Sequence, residues 1–152
     1  MLPRTSERVP AHTSRAVNRR IERDMAARVR WHARHPERIG HRLRQLDEEW
    51  DIERTLEANA ATLALAGTLL GIVVDKRFLA LPVAVTAFLL QHALQGWCPP
   101  VSFFRKRGVR TAREIDEERF ALKALRGDFG PIGPGPHERE SPASHALQAA
   151  RL

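Results

Sequence analysis

Ala58–Val74 reads ANAATLALAGTLLGIVV, 17 residues without a charge, and beyond Asp75-Lys76-Arg77 a second charge-free run of 27 residues extends from Phe78 to Phe104. A membrane-spanning helix needs about 20 apolar residues, within a range of about 17–25, so the first run sits at the short limit and the second exceeds it. The pattern predicts an all-α protein built on a transmembrane helical hairpin, residues 58–104, with spans at about 58–74 and 78–97. The competing reading is a soluble protein with an unusually apolar hairpin as its core. That reading leaves two adjacent helices with almost no polar face to meet water. The three-residue charged connection makes the two helices antiparallel neighbours, because so short a loop cannot carry the chain elsewhere.

Outward from the hairpin the composition changes sharply. Residues 1–57 carry 13 Arg and 10 acids, residues 105–152 carry 10 Lys+Arg and 7 acids, and only Asp75, Lys76 and Arg77 are charged between them. The whole chain has 152 residues and a formal charge of +7, with 22 Arg and 3 Lys, a bias that reads as an Ala/Arg-rich genome before it reads as selection for phosphate binding. Length alone sets one domain as the expectation. Arg38, Arg42, Arg44 and Arg54 precede the first span and Arg105, Lys106, Arg107, Arg110 and Arg113 follow the second, against Lys76 and Arg77 in the turn. That asymmetry places both termini in the cytoplasm and the turn outside, in a multi-pass protein of a bacterial inner membrane.

Residues 1–13 are polar, hold two prolines and no apolar run, so they predict a disordered N-terminus without a cleaved export signal. Residues 14–57 form an Arg-rich amphipathic extension. Val17, Ile21, Met25 and Val29 recur every four residues until His35-Pro36, and Ile39, Leu43, Leu46 and Trp50 form a second stripe. After the spans, Thr111 and Glu114 have the spacing of a capping box, opening an amphipathic helix over 111–127 that Gly127 closes. Ile115, Leu122 and Leu125 share one of its faces, suited to a membrane surface or to the N-terminal helices. Residues 130–152, rich in proline and without apolar period, predict a disordered tail.

Ala60, Ala64, Gly67 and Gly71 lie on one face of the first span, and Ala80, Ala84 and Ala87 repeat the spacing in the second. Small residues let helix backbones approach closely in lipid, so one stripe is expected to seal the hairpin, with any remaining small face meeting another subunit. Gln91, His92 and Gln95 come late in the second span, about 20–25 Å along its axis, where His92 reads as an interfacial hydrogen-bonder. The seven histidines contain no HExxH pattern, and the single cysteine excludes an intrachain disulfide and every multi-cysteine metal framework. The sequence thus predicts no metal and no cofactor.

Gln95-Gly96-Trp97-Cys98-Pro99-Pro100 is the most distinctive local string. Two prolines are expected to end the second span, Trp97 suits the headgroup level, and Cys98 falls beside the interfacial cluster Arg105-Lys106-Arg107. Positive charge lowers a thiol pKa, which makes Cys98 the one weak catalytic candidate; the alternative is a small apolar filler at a helix end.

The entry Ile52-Glu53-Arg54-Thr55-Leu56, the glycine-containing first span, the short turn, the string Gly96-Trp97-Cys98-Pro99 and the basic exit together resemble a family of small membrane proteins, the YgaP-like family, named after the transmembrane domain of an inner-membrane rhodanese. The stretch from Glu114 to Phe129 is similar to a tail found in some members, so the resemblance covers about residues 50–129. It implies a two-helix hairpin that can dimerise and a cysteine position, here Cys98, that accepts or relays sulfane sulfur. The 152 residues hold no rhodanese domain and no second cysteine, and an Arg-rich extension stands in place of that domain.

Three functions follow as expectations. The first is assembly: a hairpin in the lipid bilayer that self-associates or serves a partner membrane protein, since no nucleophile–base pair or paired carboxylates mark an enzyme. The second is a thiol or persulfide relay or redox sensor through Cys98, working with a partner sulfurtransferase. The third is anionic-lipid or nucleic-acid binding by the N-terminal Arg helices. The 10 acids interleaved among 13 Arg, with only Trp31 and Trp50 as aromatic company, argue against nucleic acid.

Overall fold

The computed structural model describes residues 7–129, and every regular element among them is helical. In chain order these are α1 (Arg8–Ala11), α2 (Arg15–Ala33), α3 (Ile39–Glu48), α4 (Ile52–Val73), α5 (Ala80–Gln95), α6 (Pro99–Lys106) and α7 (Ala112–Arg126), with short 3-10 turns at Pro36–Arg38 and Lys76–Leu79. The chain divides into two compact units. One comprises the residues up to Arg23 together with Trp50–Ile115, and the other comprises Asp24–Glu49 and the chain from Asp116 onward.

The first unit contains the hairpin. The Asp51 carboxylate accepts the Arg54 N–H at 2.8 Å and starts α4, which then runs unbroken for 22 residues, about 33 Å at the rise of an α-helix. The helix that carries the first charge-free run thus starts at Ile52, six residues before that run begins. A second Asx cap, Asp75 accepting the Arg77 N–H at 2.8 Å, shapes the turn into α5. Pro82 sits in the first turn of α5, where a missing N–H leaves no gap in the helix.

Two helical segments, Pro36–Val73 and Lys76–Gln95, are long and apolar enough to cross a membrane, and only 17% and 6% of their apolar stretches is buried within the molecule. Ile72, Val73 and Val83 are 74%, 80% and 68% exposed. The seam between α4 and α5 runs through Gly67 and Gly71: a methyl group placed on Gly67 would stand 2.7 Å from Pro82 Cδ, and one on Gly71 would stand 2.5 Å from Leu79 Cδ2. Ala60 and Ala64 are half-buried on the same helix. On α5 Ala80, Ala84 and Ala87 face outward, while Pro82, Val85, Leu89 and His92 turn inward, so within the hairpin the seam is lined by the α4 glycines and the larger α5 side chains.

Two expectations are corrected in this unit. Residues 8–11, inside the segment expected to be disordered, form α1. Pro99 and Pro100 do not end the second span. The turn at Gly96, with φ +71°, ends it, and the prolines open α6, where the first helical position needs no N–H.

The second unit is a helical cluster from the end of α2, α3 and the end of α7. Ile39, Leu43 and Leu46 are buried along α3 at the expected spacing, whereas Trp50 falls outside the helix and is exposed. Leu122 is buried on α7, and Gly127, with φ +88°, closes that helix as its position after the last periodic residue predicted. The expected disordered tail, residues 130–152, lies outside the described residues.

Candidate functional site

At the foot of the hairpin, where α4 begins and α5 ends, Val9, Ile52, Leu56, Cys98 and Val101 form a small apolar core with Phe104 and Val109 packed against it. The Ile52 N–H donates to the Arg110 carbonyl at 2.8 Å, tying the start of α4 to the segment before α7. Gly96 is what lets α1 close this core. Its positive φ suits glycine, and a Cβ there would overlap the Arg8 Cβ and come within 3.0 Å of the Arg8 carbonyl carbon. The Arg8 guanidinium in turn donates to the Ala93 carbonyl, in the last turn of α5.

Glu53, on the first turn of α4, meets His92, on the last turn of α5, with Oε2 and Nε2 2.7 Å apart. His92 is 5% exposed and Glu53 lies at the surface. A carboxylate only accepts, so Nε2 is the donor in this contact. His12, His32 and His35 each bring Nδ1 within 2.8–2.9 Å of the carbonyl four residues back. His92 Nδ1 is buried and has no hydrogen-bond partner among the described residues.

Between the two long helices lies a largely apolar cleft of about 90 Å³, lined by Leu56, Asn59, Ala60 and Leu63 of α4, Val85, Phe88 and Leu89 of α5, and Cys98 and Pro100. Cys98 itself is 4% exposed. Burial pushes its thiol above the ordinary value, the Val101 N–H lowers it, and the Glu53 carboxylate raises it further. The expectation of a thiol activated by the basic exit is therefore corrected: a desolvated thiol beside a carboxylate is a poor source of thiolate.

The reason the basic exit does not act on Cys98 is that Arg105 is fully buried and engaged elsewhere. Its guanidinium donates to both Glu114 oxygens at 2.6 and 2.7 Å, to Asn18 Oδ1 at 3.0 Å, to Thr13 Oγ1 at 3.3 Å and to the Val109 carbonyl at 3.0 Å. Glu114 also completes the expected capping box, accepting the Thr111 N–H at 2.8 Å while its own N–H donates to Thr111 Oγ1 at 3.3 Å. Burial pushes the Glu114 carboxyl up, but the Arg105 guanidinium and the Thr111 N–H outweigh it, so its pKa falls below the ordinary carboxylate value. Of the residues expected at the interface, Arg105 is thus paired inside the protein; Trp97 is half-buried, and Lys106 and Arg107 are exposed, with Arg107 lying over the Phe103 ring at 4.6 Å.

In the second unit Glu118, also fully buried, takes Arg42 Nε at 2.8 Å and the Arg28 guanidinium at 3.0 Å, while Arg119 reaches the Leu46 carbonyl at 3.1 Å. Buried carboxylate–arginine clusters of this kind fix the register of packed helices. Among the described residues no group of three or more His, Cys, Asp or Glu could hold a metal ion.

Spacing had marked the capping box and the α4 glycines. It could not mark Glu53 with His92, Arg105 with Asn18, or Glu118 with Arg28, because each pairs residues at least 39 positions apart. The only sequence signal was an ionisable residue in an otherwise apolar or amphipathic stretch. No family model, no curated protein and no solved structure matches this chain.

Proposed function

We propose that this chain is a two-span inner-membrane hairpin protein with both helical extensions in the cytoplasm, and that it acts by assembly with a second copy or a partner membrane protein. The observation that carries the reading is the outward-facing apolar surface of α4 and α5, with side chains such as Leu65, Ile72, Val83 and Leu90 all more than 60% exposed. In water such a surface would aggregate; in hydrocarbon it is the ordinary outside of a helix pair. The exposed small face Ala80, Ala84, Ala87 supports the assembly half of the proposal, because a seam sealed by other residues leaves this stripe for a neighbouring helix.

A buried Cys98 with a raised pKa gives the persulfide relay of a YgaP-like protein no support beyond the resemblance. The test is fractionation with a carbonate wash, joined to maleimide labelling of Lys76→Cys in intact cells on a Cys98→Ser background. Retention in the membrane with labelling of residue 76 by an impermeant reagent is the expected result. A chain released by carbonate overturns the membrane reading, and labelling only after lysis inverts the topology. For assembly, Ala84→Leu is expected to lower the yield of cross-linked dimer or partner complex in membranes; an unchanged yield counts against this face.

A further inference from the structure

We infer that the cleft between α4 and α5 and the basic end of α6 together bind an anionic phospholipid, with an acyl chain in the cleft and the phosphate at Arg107. Two independent observations point to the two halves of that molecule. The first is the cleft, about 90 Å³ and walled mainly by aliphatic side chains and Phe88. One water takes about 10–15 Å³ of such space, so a run of chain carbons fits. The rims at Leu63 and Phe88 are 49% and 46% exposed, so in a bilayer the cleft opens sideways and a chain enters it directly from the lipid. The second is Arg107, which is exposed, lies over the Phe103 ring at 4.6 Å and forms no ion pair among the described residues. A guanidinium stacked by its face keeps its edge N–H groups for a forked contact, and phosphate oxygens match that fork.

Helix α6 joins the two. Pro100 belongs to the cleft wall, and Phe103 and Arg107 follow it by three and seven positions, so the three share one face of the helix. From Pro100 to Arg107 the axis advances about 10 Å at the helical rise. The polar layer of one leaflet is about 5–8 Å thick, so a chain whose first carbons lie against Pro100 brings its phosphate within reach of the long Arg107 side chain. Charge selects the headgroup. From Pro99 to Arg113 the sequence holds five basic residues and no acid, and Lys106 is exposed beside Arg107. Such an edge favours a lipid with net negative charge over one whose phosphate is already balanced by its own ammonium. The lipid would come from the cytoplasmic leaflet, so this site rests on the membrane reading above.

The test uses the full chain in detergent and native mass spectrometry, which counts dioleoyl-phosphatidylglycerol and dioleoyl-phosphatidylcholine bound per chain. One phosphatidylglycerol is expected to be retained at about fivefold lower concentration than phosphatidylcholine, the effect of one basic residue at a lipid surface. Arg107→Gln should remove that preference and Arg107→Lys should keep part of it. Arg54→Gln controls for charge alone: Arg54 stands two positions from Leu56 on α4, off the cleft face, and its loss should leave the preference intact. Ala60→Phe fills the cleft and should weaken retention of both lipids; Leu63→Trp, at the half-exposed rim, makes the same test without burdening the fold. Equal retention of the two lipids, a preference that survives Arg107→Gln, or retention unchanged by Leu63→Trp each overturn the site. Displacement of the lipid by glycerophosphoglycerol, the headgroup without chains, at the same concentration overturns it too, because the cleft would then contribute nothing. Release of the chain by carbonate overturns the membrane reading, whereas a chain kept in the membrane that shows no lipid preference overturns the site alone.

Discussion

The limbs of the hairpin and its foot invert one another. Along α4 and α5 the apolar side chains face out, Val73 at 80% exposure and Ile72 at 74%, while a few turns away Arg105 is wholly buried and Glu114 is bound to it at both oxygens. One rule covers both regions if the limbs and the foot meet different solvents. Hydrocarbon takes an exposed leucine without cost, and a buried guanidinium is stable only where every donor finds an acceptor. The difference teaches that burial by itself does not label a core: at the foot, burial follows the hydrogen-bond network, and in the limbs it follows glycine and proline shape.

The most damaging way to break the foot is Arg105→Leu. It strands the partly buried Glu114 carboxylate and Asn18, and breaking a buried pair from one side costs up to about 3–5 kcal/mol. Urea unfolding in nanodiscs should show that loss, with the apolar limbs still in the membrane. A loss below about 1 kcal/mol would mean that the network is solvated and the contrast overstated. In the limbs the corresponding break is Leu65→Arg, since Leu65 is 62% exposed midway along α4. A charge at the middle of a span costs about 2.5–3.5 kcal/mol of insertion free energy, so the membrane-bound fraction should fall. A higher soluble yield with an unchanged fold would instead show that this face meets water.

Gly96→Ala comes next, because it touches the point where limb becomes foot. A left-handed backbone costs a non-glycine residue about 1–2 kcal/mol, and the new methyl would also overlap Arg8. The expected outcome is a loss of about 2 kcal/mol, with α1 displaced, read from amide exchange at Val9 to Thr13. Protection at those amides equal to wild type would show that α1 is held by other contacts.

How much of this was legible in the residues follows from the range of each interaction. The Thr111–Glu114 capping box and the stop at Gly127 rest on neighbours within four positions, and each stands where spacing put it. Asp51 as the cap of α4 was equally local, but the charge-free run drew attention to residue 58, six positions inside the helix. Glu53 with His92 and Arg105 with Thr13, Asn18 and Glu114 depend on which helices meet, and no spacing records that. The pair of prolines after Cys98 misled for a physical reason, since proline is equally at home just after one helix and at the first turn of the next.

Gly67→Ala and Gly71→Ala sharpen the limb side of the contrast. Alanine gains about 1 kcal/mol of helix propensity over glycine, so any net loss measures packing alone. At Gly67 the obstacle is the Pro82 ring, which cannot rotate away; at Gly71 the nearest atoms belong to the Leu79 side chain, which can, with only the Leu79 backbone nitrogen behind it at 3.3 Å. Gly67→Ala should cost about 1 kcal/mol net and Gly71→Ala close to nothing. Equal effects would mean that the seam is set by the backbone and that side-chain flexibility does not matter.

The gentlest probe of the foot is acid. The Glu114 pKa is lowered in the folded state, so the stability that its charge contributes is fully present above the ordinary carboxylate value, about 4.3, and is lost as the pH falls through the lower folded value. Glu114→Gln keeps most of the shape and removes the charge. At pH 7 it should unfold at lower urea than the wild type, because Arg105 then faces a neutral amide. On acidification the wild type alone loses the contribution of the carboxylate, and the two urea midpoints should converge toward pH 3. A gap that stays constant from pH 7 to pH 3 would mean that Glu114 acts through the shape of its capping box and not through its charge, leaving Arg105 to be held by Asn18, Thr13 and the Val109 carbonyl.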